Sequence, residues 1–252
     1  MANARPSVTS RVLALLSAFD EAHPSLTLSE LARRSGLPLS TAHRLLAELE
    51  AWHAVERDAE GRYSIGRRLW QLGTLAPVQR ELRDLAMPSM QDVYEATHEN
   101  VQLAVRQGST ALYVERIHGR RSVAVVTRVG RPLPLHATGV GKVLLAHADR
   151  EVVEACLRSL GRMTRYTITE PGRMETELHA VRSHGFARTV EEMTLGTCSL
   201  AVPVRAPTGE VVAALGLVTS TVRRDLVSLV PTLQVAAAAI SRAMPSGTSR
   251  LA

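Results

Sequence analysis

Apolar residues recur with the period of an α-helix in two short segments near the start of the chain. The first segment follows Ser10, a residue able to cap a helix, and its apolar positions are Val12, Leu15, Leu16 and Phe19. The second begins at Thr27, and Glu30 three residues later completes the pattern of a capping box. Its apolar positions are Leu28, Leu31 and Ala32. The pattern predicts two short helices, separated by a break at residues 23–25.

A third helix is predicted after the turn that contains Gly36 and Pro38, because glycine adopts the left-handed backbone that ends a helix and proline cannot continue one. The residues predicted to face the core are Leu39, Ala42, Leu45, Leu46 and Leu49. The opposite face carries Ser40, Thr41, His43, Arg44, Ala47 and Glu48. Two short helices joined by a glycine-containing turn predict a helix–turn–helix unit.

After the third helix the period changes from helical to alternating. Val55 leads into a turn at residues 58–61, and Tyr63 and Ile65 alternate out of it, which predicts a small β-hairpin, or wing. Residues 67–76 then predict a connecting helix, ended by the proline that follows. Its apolar positions are Leu69, Trp70, Leu72 and Leu75.

Helical and alternating segments are mixed in the rest of the chain. Helices are predicted at about 80–98, 138–147, 149–158, 174–184 and 225–243. Strands are predicted at about 101–107, 111–117, 122–129, 186–191, 199–205 and 211–219. Short turns between neighbouring strands favour antiparallel pairing. The predicted fold class is α+β, with a winged helix–turn–helix followed by an antiparallel sheet that has helices on its faces.

Length and composition are those of an ordinary globular protein with two domains. The chain has 252 residues, of which 45% are hydrophobic and 21% are charged, a balance that excludes disordered and collagen-like chains. The longest apolar runs are far shorter than the ~20 residues of a membrane span, and the first residues lack the apolar stretch of a secretory signal. With only Cys156 and Cys198, no disulfide scaffold is expected. These features predict a cytoplasmic protein.

The net charge of +6 does not by itself argue for nucleic-acid binding. The chain has 30 lysines and arginines against 24 acidic residues, yet residues 1–67 contain eight arginines and eight acidic residues. The whole excess therefore falls in residues 68–252, outside the helix–turn–helix unit. DNA binding is inferred from the placement of a few side chains, so we expect few phosphate contacts and a modest dependence of affinity on salt.

The polar face of the third helix is the candidate DNA-binding surface, because a helix–turn–helix lets this face enter the major groove. Arg44 can make a bidentate contact to guanine or clamp a phosphate, and Ser40 and Thr41 at the helix start suit a phosphate oxygen. Arg62, beside the wing turn, can reach the flanking backbone or the minor groove. The predicted DNA-binding residues are Thr27, Ser40, Thr41, His43, Arg44 and Arg62. The alternative is a three-helix bundle whose polar face is only solvated.

Motifs along nearly the whole chain resemble one family. The N-terminal part contains SRVL at 10–13, LSELARRSGLP at 28–38, STAHRLL at 40–46 and GRYSIG at 61–66. These motifs resemble the winged helix–turn–helix of IclR-type bacterial transcriptional regulators. The later part contains RPLPLHATGVGKVLLA at 131–146, the pair EE at 191–192 followed by Gly196, AVPV at 201–204 and GEVVAAL at 209–215. These resemble the GAF-like effector-binding domain of the same family.

The resemblance implies a DNA-binding transcriptional regulator, a repressor or an activator, that dimerises, often as a dimer of dimers, on a roughly palindromic operator. It implies a winged helix–turn–helix domain over 5–67 with the helix–turn–helix at about 27–49, a linker helix over 68–80, and an effector-binding and oligomerisation domain over 81–246. A small organic acid would tune operator affinity, and a nearby catabolic pathway would be the target. The linker helix is the candidate for the element that changes between states. No cofactor, metal ion or membrane is expected as a partner.

In relatives whose effectors are small carboxylates, backbone amides at a helix start bind the acid, and the resemblance places these amides at Gly139 and Val140. A helix start offers unpaired N–H groups and favours anions in any protein. The side-chain positions of the same pattern are Thr189, Ser199, Gly216 and Val218. These residues replace an Asp, a Cys and two Ser, which suggests a roomier, less polar pocket for a larger acid, with an aromatic acid as one candidate. The alternative is that Gly139 and Gly141 only permit close packing.

Enzymatic motifs are lacking in the sequence. It has no Cys-x-x-Cys pair, no His-Glu-x-x-His helix and no Gly-x-Ser-x-Gly elbow, and its nine histidines show no metal-ligand spacing. The segment before Lys142 ends like a phosphate-binding loop, but His136 and Val143 stand where that motif requires Gly and Ser or Thr. Cys198 and the acidic pair at 191–192 are expected to be structural. A regulator is therefore predicted, not an enzyme, and the alternative is a ligand-binding module or enzyme whose three-helix head only dimerises.

Overall fold

The computed structural model describes residues 6–20, 22–73, 75, 80–119, 130, 132–221 and 225–245. The chain divides into two compact units, Met1–Pro77 and Val78–Ala252. Each unit has its own sheet, with one hydrophobic core in the first unit and two in the second among the described residues. The two units are described separately below.

The first unit is a winged helix–turn–helix. Its elements are α1 (Val8–Leu16), β1 (Ser25–Thr27), α2 (Leu28–Ser35), α3 (Leu39–Ala51), β2 (Val55–Arg57), β3 (Arg62–Ile65) and α4 (Arg67–Gly73). The strands form an antiparallel sheet in the order β1-β3-β2. The sequence predicted only the two hairpin strands, because β1 has three residues, too few to show alternation. Pairing of Leu26 with Tyr63 across the sheet stabilises it.

Local sequence signals define where the first helices begin and end. The capping box predicted for α2 is confirmed: the Thr27 hydroxyl accepts a hydrogen bond from the N–H of Glu30, whose carboxylate accepts one from the N–H of Thr27. Gly36 ends α2 with a φ of 69°, as predicted. The cap predicted for α1 is wrong. Ser7 caps this helix and accepts from the N–H of Ser10, because the helix begins before its apolar period does.

The apolar faces of α1, α2 and α3 meet in one core, together with Tyr63 of the wing. Ala42, Leu45 and Leu46 of α3 are buried, as the helical period predicts. Leu39, which was predicted to face the same core, is 52% exposed. It is the first residue of α3 and lies at the end of the helix, not on its packed middle turns.

The second unit is a six-stranded antiparallel sheet with helices on its faces, in the strand order β6-β5-β4-β9-β8-β7. Its elements are α5 (Arg80–Thr97), β4 (Asn100–Gln107), β5 (Thr110–Ile117), β6 (Pro132–Pro134), α6 (Gly139–Ala146), α7 (Arg150–Leu157), α8 (Pro171–His184), β7 (Ala187–Val190), β8 (Thr197–Arg205), β9 (Val211–Ser220) and α9 (Val230–Ala243), with a 3-10 helix at Val227–Leu229. The predicted helices and strands correspond to these elements, except that the strand predicted at 122–129 lies outside the described residues. The three-residue β6 was not predicted from the pattern.

Two hydrophobic cores lie on the two faces of this sheet. Val101, Leu103 and Val105 of β4 belong to the core that includes α5 and α9, whereas Ala104 belongs to the core that includes α6 and α8. Because side chains alternate along a strand, Gln102 faces the α6 side as well. A site between α6 and the sheet is therefore closed on one side by a helix N-terminus and on the other by β4, β8 and β9.

Three further observations concern the described residues only. None of their helices is both long and apolar enough to cross a bilayer. No group of three or more His, Cys, Asp or Glu side chains among them is arranged to hold a metal ion. Cys156 and Cys198 are buried free thiols.

Candidate DNA-binding surface and effector pocket

One face of α3 presents polar side chains to solvent. Ser40, His43 and Arg44 are exposed and Thr41 is half-buried, while the apolar residues of the opposite face pack in the core. The structure thus brings four of the sequence-predicted DNA-binding residues together on one helix face. In a helix–turn–helix, this face of the second helix is the one that enters the major groove.

Arg44 is the candidate residue for contacting a base. Its guanidinium lies 3.1 Å from the carboxylate of Glu48 one turn later, and the two side chains are 60% and 64% exposed. An exposed pair at this spacing is worth only ~0.3–0.5 kcal/mol. The pair therefore orients the guanidinium without preventing its exchange for a guanine edge or a phosphate, which accept two N–H groups at once.

Contacts within the protein involve the other two predicted residues. The Thr27 hydroxyl also donates to the Glu30 carboxylate over 2.9 Å, and hydrogen bonds from Thr27 lower the pKa of Glu30. Arg62 donates to the hydroxyl of Ser25 over 3.1 Å and to its carbonyl over 2.7 Å, which ties β3 to β1. Both residues position α2 and the wing, and their contact with DNA stays a prediction.

Arg57 in the wing was missed by sequence reasoning. It is exposed at the end of β2, and its guanidinium lies 5.4 Å from the centroid of the Tyr63 ring. Because Tyr63 is buried, this cation–π contact fixes the arginine beside the hairpin turn. The signal in the sequence was an arginine directly before the turn, on the strand opposite Arg62.

A cavity of about 30 Å³ lies between the N-terminus of α6 and the sheet. Its lining includes all six residues that were predicted for the effector site, namely Gly139, Val140, Thr189, Ser199, Gly216 and Val218. The register of the sheet places Ser199 directly opposite both Thr189 and Val218, which explains why residues distant in sequence meet here. Lining residues that sequence reasoning missed include Gln102, Tyr113, Met193, Thr194 and Thr197.

The first turn of α6 lies against this cavity. Thr138 caps the helix and accepts a hydrogen bond of 3.1 Å from the N–H of Gly141. The N–H of Gly139 donates to the hydroxyl of Ser199 over 3.2 Å, and the N–H of Val140 has no acceptor among the described residues. Because the start of a helix carries a partial positive charge, this geometry suits a carboxylate.

Glycines allow α6 to approach the sheet closely. A Cβ atom on Gly139 would lie 2.5 Å from the Ser199 hydroxyl, and one on Gly216 would lie 2.6 Å from Cγ1 of Val140. Gly141 is packed as tightly against backbone. The space left by Gly216 is therefore filled by Val140, and this glycine does not widen the cavity as the sequence suggested. Close packing explains why glycine stands at these positions, and a cavity is still present beside them.

The side-chain nitrogen Nε2 of Gln102 has no hydrogen-bond partner within the described part of the chain, although the residue is only 2% exposed. It occupies the position of β4 that faces α6, between apolar residues that face the other core. The alternating pattern alone predicts that such a polar residue faces solvent, because the sequence of one strand does not show which helix covers it. The glutamine was visible in the pattern, but its burial could be recognised only from the packing of α6.

Lys142 of α6 is completely buried and pairs with two carboxylates. Its ammonium nitrogen lies 2.6 Å from Oε1 of Glu192 and 3.2 Å from Oε1 of Glu177. Burial raises the pKa of Glu192, an effect that the charge of Lys142 opposes. Glu192 is followed by Met193 and Thr194, so the ion pair ties the segment that carries these two cavity residues to α6.

Cys198 and the acidic pair have the structural roles that were predicted for them. Burial raises the pKa of the Cys198 thiol, which disfavours the nucleophilic thiolate. The carboxylate of Glu191 accepts a hydrogen bond of 2.6 Å from the N–H of Gly196, and Glu192 pairs with Lys142.

Comparisons with known proteins agree with this arrangement. The model of the IclR helix–turn–helix domain matches residues 8–59, and the model of the bacterial transcriptional regulator IclR C-terminal domain matches residues 75–242. The HTH-type transcriptional regulator KipR of Bacillus subtilis is 33% identical over 207 residues, 81% of this chain and 82% of KipR. XynR of Escherichia coli is 31% identical over 240 residues, 93% of this chain and 95% of XynR.

A solved structure has the same fold over nearly the whole chain. It is the crystal structure of an IclR homologue from Microbacterium hydrocarbonoxydans complexed with 4-hydroxybenzoate, with a TM-score of 0.88 and 33% identity over 94% of this chain and 98% of that chain. The related proteins are transcriptional regulators, not enzymes, which favours a regulator over an enzyme with a dimerising head. The chain belongs to the IclR family and is a DNA-binding transcriptional regulator with a helix–turn–helix domain and a C-terminal effector-binding domain.

Proposed function

We propose that this protein binds a roughly palindromic operator through α3, and that a small organic acid bound at the N-terminus of α6 changes its affinity for that operator. The observation that carries the proposal is the exposed polar face of α3 with Arg44. In this proposal residues 5–67 bind DNA, 68–80 form the linker, and 81–246 bind the effector and oligomerise. The protein acts in the cytoplasm and controls genes of a nearby catabolic pathway.

The proposed effector is a carboxylic acid with an apolar body. The helix start at Gly139 and Val140 supports the acid group, and the hydroxyls of Thr189 and Ser199, 2.6 Å apart, add hydrogen-bonding groups at the same end. The 4-hydroxybenzoate in the similar protein from Microbacterium hydrocarbonoxydans supports an aromatic acid. The cavity of about 30 Å³ must widen to accept a ring, and the flexible side chain of Met193 is the wall best able to move.

The proposed DNA-binding form is a homodimer or a dimer of dimers, in which α4 contributes to the contact between chains. Trp70, Leu72 and Leu75, on and just after α4, are 68%, 46% and 74% exposed. Large apolar side chains exposed side by side are typical of a surface that another chain covers. A two-fold dimer also places two recognition helices on successive turns of DNA, as a palindromic operator requires.

The linker is the proposed link between effector and operator. An effector changes operator affinity only if it binds one arrangement of the protein more tightly than another. We propose that the arrangements differ at α4, because Trp70 and Leu72 are exposed within the described part of the chain and the segment joins the two domains in sequence.

Gel shifts with the intergenic DNA upstream of the gene test the DNA part of the proposal. We expect a complex that survives excess unrelated duplex and that Arg44→Ala weakens by roughly tenfold or more. Arg150→Ala is the matched control, because Arg150 pairs with Glu154 at the same helical spacing but lies on α7. If no complex forms at moderate salt, with or without acids, the alternative of a ligand-binding module whose head only dimerises is favoured.

Calorimetry with a panel of organic acids tests the effector part. We expect acids with an apolar body to bind, and Gly139→Trp to abolish binding because its side chain would fill the space beside Ser199. If no acid binds, or if binding survives Gly139→Trp, the proposed effector site is wrong.

A further inference from the structure

The side-chain amide nitrogen of Gln102 is buried at the wall of the proposed effector pocket without a partner among the described residues. The residue is 2% exposed, it lines the cavity, and its Nε2 makes no hydrogen bond to any described residue. A buried donor that lacks an acceptor destabilises the fold. A ligand group that pairs with this amide would gain a hydrogen bond without displacing a protein partner.

Gln102 lies across the sheet from the proposed acid-binding end of the pocket. Ser199 of β8 pairs with Val218 of β9, and Gln102 of β4 pairs with Gly216 of β9, so the strands of Gln102 and Ser199 are separated by one strand. At about 4.8 Å per strand, the two backbones are roughly 10 Å apart across the sheet. Gly216 lies on the strand between them, and the Val140 side chain packs over it. The surface between the two polar ends is therefore apolar, which suits the hydrocarbon body of an aromatic acid.

We infer that Gln102 selects effectors that carry a hydroxyl group at the end opposite the acid. This inference rests on the proposed function, because it takes the carboxylate to be bound at Gly139 and Val140. An amide has a donor end and an acceptor end, and a hydroxyl pairs with either, so the match does not depend on how the amide is turned. One aromatic ring with the two groups in para positions fits this division, so the ligand class is a para-hydroxylated aromatic acid.

The unpaired side-chain amide of Gln102 discriminates between acids that carry the hydroxyl group and acids that lack it. A site built to pair with a hydroxyl rejects an analogue that lacks one, because its own polar group stays unpaired in the complex. Benzoate leaves the Gln102 amide without a partner, and 4-methylbenzoate places a methyl group against it. We therefore expect 4-hydroxybenzoate to bind roughly tenfold or more tightly than either analogue.

Calorimetric titration of the full chain with the three acids tests the inference, and its wild-type part needs no variant. In Gln102→Met, which keeps the side-chain length, the preference for 4-hydroxybenzoate over 4-methylbenzoate should fall to about twofold or less. Gln107→Met is the matched control, because Gln107 lies at the exposed end of the same strand, and it should keep the full preference. Thermal unfolding of both variants checks that they fold.

The outcomes separate this inference from the proposed function. Wild-type protein that binds the three acids equally, or a folded Gln102→Met that keeps the full preference, overturns the inference and leaves the acid effector in place. Wild-type protein that binds none of the three, yet shifts the operator DNA, overturns the inference and the effector part of the proposed function and leaves the DNA part standing.

Discussion

The N–H group of Gly139 donates a hydrogen bond to the hydroxyl of Ser199 over 3.2 Å, and that hydroxyl lies 2.6 Å from the hydroxyl of Thr189. This chain of polar groups joins the first turn of α6 to β8 and β7. A carboxylate in the cavity would accept from the amide of Gly139 in place of Ser199, because a charged acceptor forms the stronger hydrogen bond. Both hydroxyls would then be able to donate to it.

Replacing Gly139 by alanine should weaken acid binding while the protein still folds. The added Cβ would lie 2.5 Å from the Ser199 hydroxyl and next to the amide that the carboxylate uses. We expect the free energy of unfolding to fall by about 1 kcal/mol, the value of one hydrogen bond. Affinity for 4-hydroxybenzoate, measured by calorimetry, should fall roughly tenfold or more.

The matched control for that change is Gly172→Ala. Gly172 also lies in a helix, α8, but no heavy atom would stand within 4 Å of its added Cβ. Its acid affinity should equal that of the wild type, and its stability should be equal or slightly higher because alanine favours the helix. A Gly139→Ala protein with wild-type acid affinity would show that the acid binds elsewhere.

Gly216 and Val140 should be coupled in unfolding experiments. A Cβ on Gly216 would lie 2.6 Å from Cγ1 of Val140, whereas its next neighbours lie 3.5 Å or more away. We expect Gly216→Ala to destabilise the protein by about 1–3 kcal/mol through overpacking. Val140→Ala should cost less in that background than in the wild type, because it removes the clash. Urea denaturation of the four proteins measures this coupling, and purely additive effects would count against close packing at this point.

Lys142→Met should be strongly destabilising, because it leaves the buried carboxylate of Glu192 without its cation. We expect a loss of about 3–5 kcal/mol at neutral pH. Adding Glu192→Gln should recover much of this loss. Arg150→Met, which breaks the exposed pair with Glu154, is the control and should leave stability close to that of the wild type, because exposed ion pairs contribute little. A Lys142→Met protein as stable as this control would contradict the role of the buried pair.

The loss of stability caused by Lys142→Met should also depend on pH. Burial raises the pKa of Glu192 in the folded protein, and removal of the lysine charge raises it further. A carboxyl whose pKa is higher in the folded state binds its proton more tightly there. Its charged form therefore lowers the free energy of unfolding fully at a pH above the folded pKa, and this loss disappears as the pH falls towards the pKa of ~4.3 in the unfolded chain. Unfolding measured from about pH 8 to about pH 5 should show the difference from wild type shrinking. A constant difference would rule out titration of Glu192 as its cause.

Operator binding should depend only modestly on salt. Residues 1–67 have balanced charge, so the slope of log K against log salt should reflect few phosphate contacts, at about −0.9 per contact. Arg44→Ala should weaken binding while changing this slope by no more than about one unit. A steep slope in the wild type would show instead that the excess cations of residues 68–252 contact the DNA.

Local chemistry accounts for the parts of the fold that the sequence predicted. The capping box of Thr27 and Glu30 and the left-handed turn at Gly36 are set by residues within a few positions of each other. Strand β1 was missed because it is three residues long and depends on its pairing with β3. Leu39 was placed in the core because the helical period does not show where a helix end leaves its neighbours.

The pocket was predicted only as far as the family resemblance extends. The resemblance pointed to Gly139 and Ser199, and the structure brings them into contact. Gln102 and Lys142 were not predicted as part of this region, because their burial depends on how α6 packs against segments distant in sequence. Gly216 was predicted to widen the pocket, whereas the Val140 side chain fills the space beside it in the folded chain.

The most direct test is the operator affinity of the wild-type protein with and without saturating 4-hydroxybenzoate, measured by fluorescence anisotropy on a labelled duplex of the upstream intergenic DNA. We expect the Kd for DNA to change by about fivefold or more, and the Kd for the acid to change by the same factor when DNA is present, since coupling between two sites is reciprocal. An operator Kd that stays the same, under conditions where calorimetry shows the acid bound, would contradict an effector-controlled regulator.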